Sequence, residues 1–237
     1  MSRFERLERL IGAQGLTRLA GSSIAVFGLG GVGSYAVEGL VRGGIGQLFL
    51  VDHDRVEASN LNRQIQALEE TLGEPKAEAL AARCRAINPD ARIRCSQLSY
   101  GFETAEELLD RRFDYVLDCI DQVTAKLHLL EICRQRNLPV ISSMGAAGKL
   151  DPAGLQVADI AETHTCGLAR IMRKELRTRG IARGVKVVFS TAPVLSGQPP
   201  GTRKRSDPLG SSSVVPPLFG MTMAAEVLKA LLAKGNG

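Results

Sequence analysis

Ser23-Ile-Ala-Val-Phe27 runs directly into Gly28-Leu-Gly-Gly-Val-Gly33. Five residues, most of them apolar, that end in closely spaced glycines read as a buried strand entering a tight turn. Small and apolar residues then recur at helical spacing over 32–41. Glycines at such a junction let the backbone approach a phosphate, which meets the N–H groups at the start of the helix. A second apolar run, Gln47-Leu-Phe-Leu-Val51, ends in Asp52, 19 residues beyond Gly33 (from 33 to 52). A carboxylate at that point accepts hydrogen bonds from ribose hydroxyls. Together these segments predict a strand–loop–helix–strand unit of the parallel, right-handed kind.

The alternation continues with a helix over 75–87, a strand over 91–95, a short helix over 104–111 and a strand over 114–119. A helix over 124–137 and a strand over 138–142 follow. Two further strands, 155–158 and 185–190, flank a basic helix. The expected fold is therefore α/β: a Rossmann-like, mainly parallel sheet with helices on both faces and a C-terminal substrate-side extension. One domain is expected over 1–237, with a nucleotide-binding core over 1–145 and a substrate side over 146–237. Residues 191–213, rich in proline, glycine, serine and basic residues, predict a mobile loop.

With 44% hydrophobic and 23% charged residues, the chain falls in the ordinary globular range. Residues 1–10 form a charged helical pattern without the apolar centre of a signal peptide. The apolar run 214–233 carries Pro216, Pro217, Glu226 and Lys229, which predicts a docked amphipathic helix and no membrane span. Five cysteines, an odd number with no two of them two residues apart, suggest neither a disulfide framework nor a zinc ribbon. That usage fits a reducing, cytoplasmic setting.

The glycine turn alone is compatible with NAD, FAD, ATP or another nucleotide. Downstream of Asp52 come Asp54, Asn60-Leu-Asn-Arg63-Gln64, Lys76 and Asp121. A reacting triphosphate carries more charge than a dinucleotide pyrophosphate. Arg63 and Lys76 supply fixed cations for it, and Asp121 a ligand for Mg2+ bridging phosphate oxygens. Each residue also has a plainer reading: Arg63 as a solvated loop arginine, Lys76 as an exposed helix residue, Asp121 as a helix cap. Their order on one scaffold favours ATP. Asp54 has two uses, orienting Arg63 or binding metal, besides a turn-forming role.

On these residues the chain resembles the ubiquitin-activating-enzyme-like adenylating superfamily, which includes the molybdopterin and thiamine-pathway activators. The motifs are Gly28-Leu-Gly-Gly-Val-Gly33, Val51-Asp52-His-Asp54, Ser59-Asn60-Leu-Asn-Arg63-Gln64, Lys76 and Asp118-Cys-Ile-Asp121. Within that group, Arg3-Phe-Glu-Arg6, Gly43-Gly-Ile-Gly46, Ala86-Ile-Asn88-Pro89, Val157-Ala-Asp159-Ile160, Arg173-Lys-Glu-Leu176 and Val187-Val-Phe-Ser190 resemble the tRNA threonylcarbamoyladenosine dehydratases.

The resemblance implies ATP-dependent cyclisation of the modified base beside the anticodon, by adenylation of its threonyl carboxylate and ring closure. It implies that Gly28, Gly30, Gly31, Gly33, Asp52, Asp54, Asn60, Arg63, Gln64 and Lys76 bind the nucleotide, with Asp121 on magnesium. Arg6, Arg63, Lys76 and Asp121 are the implied catalytic set. Arg6 reaches a partner subunit's site in such a family, so a homodimer is implied, and a sulfur-transfer helper protein is a further candidate partner.

The zinc-binding Cys-x-x-Cys pairs of sulfur-carrier activators are absent, which lowers that alternative. An NAD-dependent oxidoreductase fits less well with Arg63, Lys76 and Asp121. Cys166 reads as a packed cysteine more readily than as a nucleophile. Net charge is +5, and Arg170, Arg173, Lys174, Arg177, Arg179, Arg183 and Lys186 cluster around one predicted helix. Arg203, Lys204 and Arg205 add a second patch. Such stretches either form a solvated helix face or neutralise nucleic-acid phosphates, and the resemblance implies tRNA, not DNA, as the partner. Aromatics at 4% argue for backbone recognition over base stacking.

Overall fold

The computed structural model describes residues 3–195 and 209–233. The strands are β1 (Ser23–Phe27), β2 (Gln47–Val51), β3 (Arg92–Ser96), β4 (Tyr115–Asp118), β5 (Val140–Ser143), β6 (Leu155–Asp159) and β7 (Lys186–Ser190). They form one sheet in the order β3-β2-β1-β4-β5-β7-β6. Every pairing is parallel except the antiparallel one between β6 and β7.

Two-residue alternation along the strands divides the core. Ile24, Val26, Leu48, Leu50, Tyr115 and Leu117 face a layer made by α1 (Glu5–Gly21), α2 (Gly33–Arg42), α3 (Lys76–Ile87) and α7 (Val215–Ala233). Ala25, Phe27, Phe49, Val51 and Val116 face α4 (Ala105–Leu108), α5 (Val123–Gln135) and α6 (Gly167–Thr178). Both faces are covered, so the central strands are largely apolar, with polar residues at the carboxyl ends of β4 (Asp118) and β5 (Ser142, Ser143). Pro75 serves as the N-cap of α3, one residue outside the helix it was expected to open.

The strand order places β1 and β4 side by side with their connections leaving in opposite directions, β1 towards β2 and β4 towards β5. That divergence opens a crevice at the carboxyl ends of the strands.

The C-terminal helix departs from the amphipathic expectation. Val215, Phe219, Met223 and Val227 are buried, yet Leu218 and Met221 stay exposed on the other side. By length and composition α7 could cross a membrane, but half of its apolar window is buried in the domain. It lies close to α2: a Cβ on Gly220 would sit 2.1 Å from the Val32 carbonyl oxygen, and one on Gly39 2.8 Å from the Ala224 Cβ. Of the loop expected over 191–213, residues 196–208 lie outside the described residues.

Candidate active site

The crevice holds a cavity of about 900 Å³. Gly28, Gly30, Gly31 and Val32 line it beside Asp52, Asp54, Asn60, Arg63, Gln64, Lys76 and Asp121. The candidate nucleotide residues are thus brought together, with two exceptions. Gly33 is set behind the turn, where a Cβ would fall 1.8 Å from the Gly28 carbonyl oxygen; it permits the turn and does not line the cavity. Arg6, on α1, is absent from the lining. Its neighbours Phe4 and Leu7 pack towards Gly44, ahead of β2 and therefore at the opposite end of the strands.

The glycine turn is built to receive anions. Gly28 has φ +86°, and a Cβ there would sit 2.7 Å from the Cys119 carbonyl oxygen, so only glycine fits. The Ser34 N–H donates to the Gly30 carbonyl (3.0 Å), which leaves the amides just ahead of it at an open helix terminus. Val32, the N-cap, supplies no side-chain cap. The N-caps of α5 and α6, Gln122 and Cys166, supply none either, and Gln122 and Leu168 of these helix starts line the same cavity. Helix termini of this kind carry partial positive charge.

Asp52 is fixed at the end of β2. Its Oδ2 accepts from the Leu29 N–H (2.6 Å) and its Oδ1 from the Asp54 N–H (2.9 Å). Each oxygen keeps lone pairs for ribose hydroxyls. Lys76 is not the exposed helix residue of the plainer reading. Its side chain is 7% exposed, and its Nζ lies 2.7 Å from Asp54 Oδ2. Asp54 therefore orients Lys76, not Arg63. Burial pushes the Asp54 carboxyl up, but the Lys76 hydrogen bond and charge, with His53 adding, outweigh it and hold the group below its ordinary value.

Arg63 donates to the Ser59 carbonyl and to Asn62 Oδ1 (both 2.8 Å), so its head is held by its own loop while its stem packs beneath Gly31. Asn60 is buried and closes that loop, its Oδ1 accepting from the Glu57 N–H (3.1 Å). Gln64, also buried, lies beside Gly30.

Asp121 is exposed in the cavity, its side chain without a partner among the described residues, and it does not cap α5. An uncommitted carboxylate facing the phosphate side fits Mg2+, which takes one or two carboxylates together with phosphate oxygens and waters. Asp52, His53 and Asp54 also bring ligand atoms within 4.8 Å of one another. They fit less well, since Asp52 and Asp54 are already engaged.

The motifs did not point to Leu98–Tyr100 after β3, Ser143–Ala147 from the last residue of β5 onward, Leu168, Leu209, Ser211 or Pro216, which also line the cavity. The first two groups follow carboxyl ends of strands beside the crevice, a positional signal available from the predicted strands. Cys119 also lines the cavity, and burial pushes its thiol far above the ordinary value. Cys166 is buried beneath Gly145.

On α6, Arg170, Lys174 and Arg177 are exposed at helical spacing, their side chains without partners among the described residues. Arg173 differs: it donates to the Thr163 carbonyl (2.6 Å) and hydroxyl (2.5 Å), tying the helix to the preceding turn. Arg179 pairs with Glu131 and Glu175, and Lys186 with Glu226. Arg203, Lys204 and Arg205 lie outside the described residues.

A doubly wound sheet with an anion-binding glycine turn, a ribose carboxylate, a buried lysine and a free carboxylate defines an ATP-using, adenylating class of protein. The ThiF family model matches residues 4–237, and the chain belongs to that family. It is 41% identical to the tRNA threonylcarbamoyladenosine dehydratase of Bacillus subtilis (strain 168), across 98% of this chain and 95% of that protein. The Escherichia coli (strain K12) dehydratase is 36% identical, across 98% of this chain and 94% of that protein. The crystal structure of the E. coli enzyme in complex with ATP matches with a TM-score of 0.91 at 36% identity, covering 99% of this chain and 96% of that one.

Proposed function

We propose that this chain catalyses the ATP-dependent cyclisation of threonylcarbamoyladenosine in tRNA. The observation that carries the reading is the 41% identity to the B. subtilis dehydratase over 98% of the chain, which takes in the substrate side of the cleft as well as its nucleotide side.

The chemistry runs in two steps. A threonyl carboxylate oxygen attacks the α-phosphorus of ATP and pyrophosphate leaves, giving an acyl-adenylate. A nucleophile of the same modification then attacks the acyl carbon, and AMP departs with the former carboxylate oxygen. The balance is loss of one water from the nucleoside.

Two anions must be held together, so the residues supply position and positive charge. Asp52 holds the ribose, the amides around Gly30 and Gly31 the phosphates, and Lys76 and Arg63 add cations. Asn60 and Gln64 shape the floor. Asp121 would hold Mg2+, which when bound neutralises phosphate charge. Ring closure is intramolecular and calls on no cysteine.

Arg170, Lys174 and Arg177 offer a phosphate-binding stripe that starts beside the cavity, with 203–205 as a second basic patch for tRNA. Arg6 is exposed and absent from its own cavity, and on this reading it enters that of a second copy in a homodimer. A sulfur-transfer helper protein and a cytoplasmic setting belong to the same reading, and the five free cysteines suit the latter.

The test is to incubate the protein with ATP, Mg2+ and tRNA carrying threonylcarbamoyladenosine, digest the RNA and weigh the nucleoside. Loss of one water, dependent on ATP and abolished by Asp121→Ala, is expected. An unchanged nucleoside from folded protein that binds ATP overturns the assignment.

A further inference from the structure

Directly behind the cavity lies an ion pair that does not line it. Lys126 on α5 and Asp118 at the end of β4 both have fully buried side chains (0% exposed), with Nζ 2.8 Å from Oδ2. Asp118 Oδ2 also accepts from the Ser142 hydroxyl (2.6 Å), and Oδ1 accepts from the Ile120 N–H (3.2 Å). The Lys126 ammonium donates in turn to the Ile120 carbonyl (3.0 Å). Three groups, from the loop after β4, from α5 and from β5, thus close on one carboxylate.

Stability alone does not account for this arrangement. An apolar pair of similar volume is commonly as stable as a buried ion pair, because the desolvation cost offsets the attraction. Geometry does account for it. Both backbone groups of Ile120 are gripped, and the next residue is Asp121, whose carboxylate is otherwise unheld. Ser142, on the other side of the same network, precedes the 143–147 wall.

We propose that Lys126 is a positioning residue: with Asp118 it sets the Ile120–Asp121 backbone so that the Asp121 carboxylate meets the cation accompanying the phosphates. This rests on the reading of Asp121 as the cation ligand. The network's polar contacts lie on one side of the cleft: Asp52 and Lys76 make no hydrogen bond or ion pair with it, and the glycine turn meets it only where Gly28 packs on the Cys119 and Ile120 backbone. Its loss therefore affects cation binding and turnover before nucleotide binding.

The measurement is Mn2+ affinity in the presence of an α,β-methylene ATP analogue, read by the electron paramagnetic resonance of free Mn2+, beside metal-free binding of that analogue. Lys126→Met leaves a buried carboxylate uncompensated and can fail to fold, so the main variant combines it with Asp118→Asn. Ser142→Ala provides a milder perturbation that keeps both charges. Groups that orient a metal ligand from behind are typically worth about 10–100-fold in metal affinity or activity.

The double variant is expected to bind the analogue as the parent does, to lose about tenfold in Mn2+ affinity, and to lose kcat with little change in KM for ATP. Ser142→Ala moves Mn2+ affinity the same way by a smaller factor. Asp121→Ala is measured alongside. If it weakens Mn2+ while neither network variant does, the positioning role is overturned and Asp121 stands. If Asp121→Ala leaves Mn2+ affinity unchanged, the ligand assignment falls and the positioning role falls with it.

Discussion

Across the cleft, the wall at the ends of β1 and β2 is made of charged and hydrogen-bonded groups: Asp52 held by two amides, Lys76 held by Asp54, and a glycine turn at an uncapped helix. The opposite wall, after β5 and around the start of α6, is made of Ser143, Met144, Gly145, Ala146, Ala147 and Leu168. No side chain among these six carries charge. The first wall is fixed by hydrogen bonds between its own motifs, Asp52 to Leu29 and Lys76 to Asp54. The second is shaped by packing, with Cys166 beneath Gly145 and Leu209 and Ser211 arriving from a distant part of the chain. On the proposed function, one side binds the nucleotide by fixed charge, and the other fits a neutral surface to a substrate that brings its own.

The sharpest break in that contrast comes from Lys76→Ala. Removing one preorganised electrostatic group from such a site costs on the order of 10²–10³ in rate. The pyrophosphate-release rate is expected to fall by about that factor, whereas Leu168→Ala on the other wall should alter KM for tRNA more than kcat. Equal losses in kcat from both would erase the distinction.

Two glycines give the next test. A Cβ on Gly33 would overlap the Gly28 carbonyl, whereas one on Gly145 would meet Cys166 Sγ at 3.6 Å, an ordinary contact. Gly33→Ala should lower stability by roughly 1–3 kcal/mol through overpacking and abolish measurable ATP binding. Gly145→Ala should stay within about 0.5 kcal/mol of the parent and keep ATP affinity. Thermal melts with and without ATP read both effects.

The Asp54–Lys76 pair sharpens the contrast through pH. The folded carboxyl sits below its ordinary value of 3.8, so the stabilisation is fully present above about that pH and is lost as pH falls through the depressed folded value. Because the Asp54 side chain is 50% exposed, screening limits the contribution to about 1 kcal/mol or less. Asp54→Asn should therefore lower stability slightly at pH 7, with the difference from the parent vanishing in strong acid. A difference that persists there would assign the loss to packing.

The same contrast explains what could be read from the sequence. The nucleotide wall rests on local motifs: a strand ending in glycines, a carboxylate closing the next strand, and a lysine just past Pro75. Each imposes its own geometry, so the strands β1 and β2 fell where the apolar runs placed them. The opposite wall has no such marker. Ser143–Ala147 reads as an unremarkable small-residue loop, and its place in the cleft depends on β5 lying between β4 and β7, a pairing no short motif encodes. Lys126 was hidden for a related reason: a lysine in a helix reads as solvent-facing, and only the approach of β4 and β5 buries it. The amphipathic expectation for α7 failed because two prolines and two charges were weighed above an apolar surface that runs most of the way round.

The smallest expected effect lies on α6, where the neutral wall passes into exposed charge. Arg170, Lys174 and Arg177 are spaced to share one helix face. Arg173 stands between them in sequence but is turned into the Thr163 hydrogen bonds. If the stripe follows an RNA backbone, replacing any one of the three by Gln removes about one phosphate contact. The slope of log affinity against log salt should then fall in magnitude by roughly 0.7–0.9, with affinity lowered only a few-fold. Stability and ATP binding should be unchanged. Arg173→Gln should do the reverse, lowering the melting temperature through lost hydrogen bonds worth about 1–2 kcal/mol while leaving the salt slope intact. Filter-binding titrations at several salt concentrations separate the two behaviours. A slope that no stripe substitution moves would mean that the RNA takes another course across the molecule, and that these three cations only solvate the helix.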